Sequence, residues 1–270
     1  MGDSVELYAF NSGDWEYEYS SMMRLQRPGD SYPSLCPFYL IDHPEATVLV
    51  DTGVSHDLVE NPAEYGAYGA PHFEAFAADE IHTEEFRPAS EQIRDVGVDP
   101  EDVDFVVMTH LHLDHAGDVD SFPEAEFLVQ QDELAYAWWP ADPIQRKLYV
   151  EGDFGVLRSP EFDVTAIEGH HDLFGDGSVE CVPTPGHTAG HQSVVVELDE
   201  AGTVVLGGDV AFTDEAVERD LQPPFAWDTE EALRSTRRLR DLVRREDADC
   251  YLAHDREHHE ALPTPPESLE

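Results

Sequence analysis

The chain has 270 residues, of which 41% are hydrophobic and 10% aromatic, and it carries 59 Asp and Glu against 15 Lys and Arg, a net charge of -44 at pH 7. Such a polyanion repels nucleic-acid phosphates and anionic lipid, which excludes a nucleic-acid enzyme built on a basic groove and a membrane-surface protein. The apolar content separates it from acidic disordered chains, which bury too little surface to offset chain entropy. Lys147 is the single lysine, and the acids are spread along the chain. That pattern predicts a halophilic surface, since in molar salt the Debye length falls to about 3 Å and self-repulsion is screened. No apolar run approaches the roughly 20 residues of a membrane span, and Met1-Gly2-Asp3-Ser4-Val5-Glu6 lacks the positive region of a signal peptide. A cytoplasmic protein of a salt-accumulating microbe is expected. Cys36, Cys181 and Cys250 are far apart and form no CxxC pair, so each reads as a small buried apolar residue.

In chain order, apolar runs at 38–41 and 47–50 flank His43-Pro44-Glu45-Ala46 as a hairpin that delivers Asp51-Thr52-Gly53 at a strand end. A helical pattern at 91–96, stopped by Gly97, precedes a buried strand at 105–108 that runs into His110. A strand at 126–130 and a helix at 132–139, closed by Pro140, follow. Strands are then predicted at 163–167, 178–183, 192–198 and 203–206, separated by Gly, Asp and Pro signals. A long helix at 229–245 buries Ala232, Thr236, Leu239 and Val243 at helical spacing. Its arginines read as a solvated face paired with the protein's own carboxylates. A short strand at 250–253 leads to His254, and the proline-rich end, 263–270, reads as a frayed tail. These elements predict an α/β protein with two sheets between helices.

Thr109-His110-Leu111-His112-Leu113-Asp114-His115 places three imidazoles and a carboxylate within six residues of a strand end. If extended conformation persists, His110 and His112 project to one side while Asp114 and His115 turn into a following helix and address a neighbouring point. His187 in the Pro- and Gly-fixed loop Pro183-Thr184-Pro185-Gly186-His187-Thr188-Ala189-Gly190-His191, Asp209 after Gly207-Gly208, and His254 occupy equivalent places after other strands. Seven such donors exceed what one tetrahedral ion needs, so two divalent ions are implied, with Asp209 able to bridge them.

The HxHxDH run, the TPGHTxGH loop, the GGD strand end and the late histidine resemble the metallo-β-lactamase superfamily, and within it the N-acyl homoserine lactonase family, from about Phe38 to His254. The resemblance implies an αβ/βα four-layer sandwich, two mixed sheets packed between helices, in one hydrolase domain spanning 1–262. It implies two metals, usually Zn2+ with Mn, Fe or Co as alternatives: His110, His112 and His187 on the first, Asp114, His115 and His254 on the second, and Asp209 between them. Asp51 resembles the carboxylate that orients a ligand from behind, against the alternative of a plain turn former, and His191 reads as a supporting residue rather than a ligand. The implied reaction is hydrolysis of a lactone by a metal-bridging hydroxide, with Asp114 and Asp209 as catalytic groups. A thioester, phosphoester or other ester on the same centre is the alternative, and a catalytically silent metal-binding module the more distant one.

Phe212 departs from the family pattern, which has a tyrosine three residues after the bridging aspartate. Tyr149 and Tyr251 are the alternative hydroxyls, with core packing as the other role for each. Met22, Met23, Trp138 and Trp139, with Phe212, are candidates for an apolar substrate pocket; the competing role for such a patch is core or a homodimer surface. The partner expected is a small ester or lactone.

The charge yields a direct test. The midpoint of thermal unfolding is expected to rise from low to molar potassium chloride as self-repulsion is screened; an unchanged midpoint would remove the salt adaptation.

Overall fold

The computed structural model describes residues 4–55, 81–82 and 86–270. Among these, the first sheet contains β1 (Glu6–Glu18), β2 (Ser31–His43), β3 (Ala46–Val50), β4 (Ile81–His82), β5 (Phe105–Val107), β6 (Glu126–Gln130) and β7 (Asp163–Ile167), in the order β4-β1-β2-β3-β5-β6-β7. The second contains β8 (His171–Asp172), β9 (Val179–Pro183), β10 (Gln192–Leu198), β11 (Gly202–Gly208) and β12 (Asp249–Leu252), in the order β12-β11-β10-β9-β8. Both are mixed: β3, β5, β6 and β7 run parallel and β1–β3 antiparallel, while β11 and β12 are the parallel pair of the second sheet.

Period-two alternation builds the layers. Ile41, Val48, Val50, Val107 and Leu128 of the first sheet face Val194, Val196, Val204 and Leu206 of the second. The intervening Leu40, Leu49, Val106 and Phe127 face outward to Ile93, Phe122 and Ala137, and Val195 and Val205 pack outward with Leu239 of helix Thr229–Glu246. Covered on both faces, these strands read as continuous apolar runs. The four-layer arrangement is therefore the one expected. On the long helix, Arg234, Arg237, Arg238, Arg240 and Arg245 do pair with carboxylates.

Several boundaries differ from expectation, each for a local reason. The segment at 91–96 is one turn of α-helix, Ala89–Gln92, tightening into a 3-10 turn, Ile93–Val96, and it begins at Pro88. The helix expected at 132–139 is Gln131–Ala137, because Pro140 disfavours helical geometry in the residue before it. No α-helix begins at His115: β5 stops at Val107, the next residues form turns in which His115 and Ala116 both donate to the His112 carbonyl at 3.0 Å, and only a short 3-10 turn, Val119–Ser121, follows. The C-terminal segment is not frayed. Leu269 exchanges two backbone hydrogen bonds with Leu7, at 2.8 and 2.9 Å, and the Glu270 carbonyl accepts from Glu200 and Ala201. No helix among the described residues is long and apolar enough to cross a membrane.

This framework gathers strand exits. Parallel β3 and β5 release Asp51 and residues 109–115 at one edge, and parallel β11 and β12 release Asp209 and His254 at one edge of the facing sheet. Gln192, at the start of β10, joins the two edges, donating from its backbone to the Thr109 carbonyl at 3.0 Å and from its amide to the Met108 carbonyl at 2.8 Å.

Candidate metal centre

The site begins with Asp51, which leaves β3 at φ 58°. Its Oδ1 accepts the Thr109 backbone N–H at 2.7 Å, and its Oδ2 accepts the Thr109 hydroxyl at 2.7 Å and His115 Nδ1–H at 2.8 Å. Thr109 Oγ1, with its proton committed to Asp51, accepts from His110 Nδ1 at 3.1 Å. One buried carboxylate thereby fixes two imidazoles, and both turn Nε2 inward. Gly117 lets the two loops lie this close, since a Cβ there would stand 1.9 Å from Ser55 N and 2.2 Å from Val54 C.

His112 is held the other way round. Gln145 Oε1 accepts from His112 Nε2 at 3.0 Å, while the Gln145 amide N–H groups donate to the carbonyls of His187 and Phe225, at 3.0 and 2.7 Å. His112 therefore presents Nδ1 to the site, 3.0 Å from His187 Nε2. His254 Nδ1 meets Ser34 Oγ at 3.0 Å, leaving Nε2 3.2 Å from Asp209 Oδ2 and 3.5 Å from Asp114 Oδ2. The centre of the cluster is Asp209, whose Oδ2 is 3.2 Å from His187 Nε2 and whose Oδ1 is 3.4 Å from His115 Nε2.

His191 is excluded as a ligand by its bonds: Nε2 accepts the Asp209 backbone N–H at 2.9 Å and Nδ1 lies 2.8 Å from Thr184 Oγ1. It sets the Asp209 backbone in place. Gly208, at φ +55° with His191 Nε2 only 2.8 Å from where a Cβ would stand, admits no side chain without strain.

The predicted ligands converge as His110, His112 and His187 in one group and Asp114, His115 and His254 in another; His110 and His115 also group with Asp209, and all are buried. The donors fit cations. His110 Nε2, His115 Nε2 and Asp209 Oδ1 are buried without a hydrogen-bond partner, a costly state that a shared ion relieves. Charge points the same way. Burial drives His110 and His187 well below the usual imidazole range, His112 down to about 4 and His191 to about 3. Burial acts similarly on His115 and His254, but the surrounding carboxylates together outweigh it, Asp209, Asp51 and Asp114 at His115 and Asp209 and Asp114 at His254, and their pKa values rise. Burial also opposes ionisation of Asp209, yet His254, His115 and His187 hold its carboxyl well below the usual range. An ionised Asp209 thus sits among imidazoles most of which burial holds in the neutral form, the state in which they can bind a cation.

A cavity of about 250 Å³ opens onto this cluster, walled by Trp15, Tyr17, Met22, Leu113, Phe212 and Phe225 among others. Of the pocket candidates, Met22 and Phe212 line it. Met23 instead packs in the core beside Phe212 and Leu239. Trp138 lies under Arg158 and against Phe154, away from the site, and Trp139 is 79% exposed; both follow the last turn of helix Gln131–Ala137 and neither lines the cavity. Tyr149 is no substitute hydroxyl, since it donates to Glu133 Oε1 at 2.8 Å, and Tyr251 lies on β12 beside His258, outside the cavity.

Glu133 itself was not legible as a site residue. Wholly buried, it accepts from Leu111 N and Tyr149 Oη through Oε1, and from Thr188 Oγ1 and Gly190 N through Oε2, at 2.6 to 3.1 Å. Burial raises its pKa, opposed by these four donors. It clamps the loop of His110 and His112 to that of His187. In the sequence it is one acid among 59.

Fold and site define a metallo-hydrolase scaffold, and the chain belongs to the metallo-beta-lactamase superfamily, whose family profile matches residues 32–246. It is similar to the N-acyl homoserine lactonase AttM of Azorhizobium caulinodans, with 32% identity over 254 residues and 93% of each chain covered. It is also similar to the N-acyl homoserine lactonase AiiA of Bacillus thuringiensis subsp. kurstaki, with 31% identity over 267 residues and 98% of each covered. A solved quorum-quenching N-acyl homoserine lactone lactonase superposes with a TM-score of 0.80 at 28% identity, covering 100% of both chains. An N-acyl homoserine lactone hydrolase with N-hexanoyl-L-homoserine bound at its catalytic metal center gives 0.78 at 26%, covering 98% of both.

Replacing Glu133 by Ala strands four donors, and unfolding in urea is expected to show a loss of about 3 kcal/mol, with Glu133→Gln losing less because one acceptor oxygen remains. A loss below about 1 kcal/mol for Glu133→Ala would contradict the clamp.

Proposed function

We propose that this chain is a dinuclear metal-dependent hydrolase that opens the ring of an N-acyl homoserine lactone or a closely similar lactone. The observation that carries the reading is the pairing of two ligand groups through buried Asp209 at the floor of an apolar-walled cavity. His110, His112 and His187 would hold one ion, Asp114, His115 and His254 the other, with Asp209 shared. Zinc suits this nitrogen and carboxylate donor set, and manganese, iron and cobalt accept the same ligands. When bound, the ions supply Lewis acidity and lower the pKa of water towards roughly 7.

The chain's own groups do the rest. Asp51, Gln145 and Ser34 lock the ligand imidazoles in the tautomers described above, so no reorganisation is needed as charge develops. Met22, Leu113 and Phe225 offer an apolar wall to an acyl chain and exclude water from it. Asp114, at the wall, is placed to pass a proton to the oxygen released when the ring opens. The acid-rich exterior supports work in the salt-laden cytoplasm inferred from composition.

Two measurements test this reading. Zinc-loaded protein is expected to hydrolyse acyl homoserine lactones, and cleavage of thioesters or phosphoesters with no lactone turnover would overturn the assignment. Elemental analysis is expected to find about two ions per chain, lost together in Asp209→Ala, whereas His254→Ala retains one; equal losses in the two variants would contradict the bridging role.

A further inference from the structure

The long first strand brings to the site a group outside the ligand set. A register shift between Asn11 and Asp14 resets the pairing of β1 with β2, and beyond it Trp15 and Tyr17, two residues apart, both line the cavity. Their rings lie parallel with centroids 5.6 Å apart. Tyr17 also meets His254 edge-on at 5.6 Å, and its hydroxyl stands 3.3 Å from Asp114 Oδ2. Ring contacts on both sides thus place one phenol at the reacting end of the cavity.

The bond to Asp114 is weak. Hydroxyl-to-carboxylate bonds commonly measure about 2.5–2.7 Å, so an interaction of 3.3 Å is readily exchanged for a better acceptor. The other hydroxyl that lines this wall is already engaged. The Ser21 hydroxyl donates to the Glu18 carbonyl at 2.6 Å. Phe212, whose ring lies 4.7 Å from that of His254, has no polar atom. In the metal-loaded site His110, His112, His115 and His254 would give their inward nitrogens to the ions and have no proton to offer the substrate, since their other nitrogens are the ones held at Thr109, Gln145, Asp51 and Ser34.

We propose that Tyr17 is a catalytic residue whose phenolic O–H leaves Asp114 and donates a hydrogen bond to the ester carbonyl oxygen of the substrate as that oxygen gains negative charge. The inference rests on the lactone-hydrolase reading. No bond to Tyr17 is made or broken: its proton stays on the phenol, and the water and ester atoms balance without it. A donor engaged chiefly when charge has developed acts on kcat rather than KM.

The test uses the full chain loaded with zinc and an N-acyl homoserine lactone as probe. Tyr17→Phe is expected to lower kcat roughly 10- to 100-fold while KM changes by less than about 3-fold, with metal content and thermal midpoint unchanged. Placing Phe212→Tyr in the Tyr17→Phe background, which returns a hydroxyl to the other flank of His254, is expected to restore part of kcat. A kcat within about 2-fold of the unaltered chain, a loss tracking lost metal, or a loss confined to KM overturns the inference alone if the unaltered chain opens lactones. Absence of lactone opening by the unaltered chain overturns the functional reading and this inference with it.

Discussion

A buried carboxylate, Asp209, with no arginine or lysine paired to it among the described residues is the constraint around which the rest of the structure is arranged. Taking such a charge out of water costs several kcal/mol even after relaxation. Here the compensation is a ring of imidazoles, His187 and His254 at 3.2 Å from Oδ2 and His115 at 3.4 Å from Oδ1. Imidazoles compensate such a charge only in part, and bound cations would complete the compensation. This explains why polar atoms at the heart of the cluster are unpartnered while the atoms behind them are saturated.

The saturated layer ties loops that are far apart in sequence. Asp51 binds the end of β3 to residues 109–115, Glu133 binds 111 to 188–190, Gln145 joins His112 to the His187 carbonyl, and His191 fixes the Asp209 backbone. Each connection spans a loop that alone would be mobile, and each is buried, where hydrogen bonds are strong and a missing partner is expensive. Rigid ligand placement follows from these side chains together with the sheets, whose shared apolar layer brings the strand exits to one end.

The candidate ligands could be picked out in the sequence because their chemistry is concentrated: three histidines and an aspartate in 110–115, and lone His187, Asp209 and His254 at the ends of recognisable apolar strands. Doubly covered strands announce themselves by apolar runs, which is why β3, β5, β6 and β10 fell close to expectation. What stayed hidden depends on tertiary contact. Glu133 and Gln145 look like ordinary helix-surface residues, and only the packing of their helices against the ligand loops buries them. Tyr17 lies in the acidic stretch Asp14-Trp15-Glu16-Tyr17-Glu18, whose alternation does not reveal which face meets the cavity. Trp138 and Trp139 misled for the converse reason, since aromatic size does not report direction at a helix end. The proline-rich terminus resembled a loose tail, yet Leu269 finds in Leu7 an open strand partner.

The central claim is that Asp209 is shared by two cations held by this preformed cluster. Anomalous scattering at the zinc edge from crystals grown with zinc tests it most directly. Two peaks per chain are predicted, one among His110, His112 and His187 and one among Asp114, His115 and His254, both in contact with Asp209; a single peak, or peaks that leave Asp209 untouched, would contradict the account.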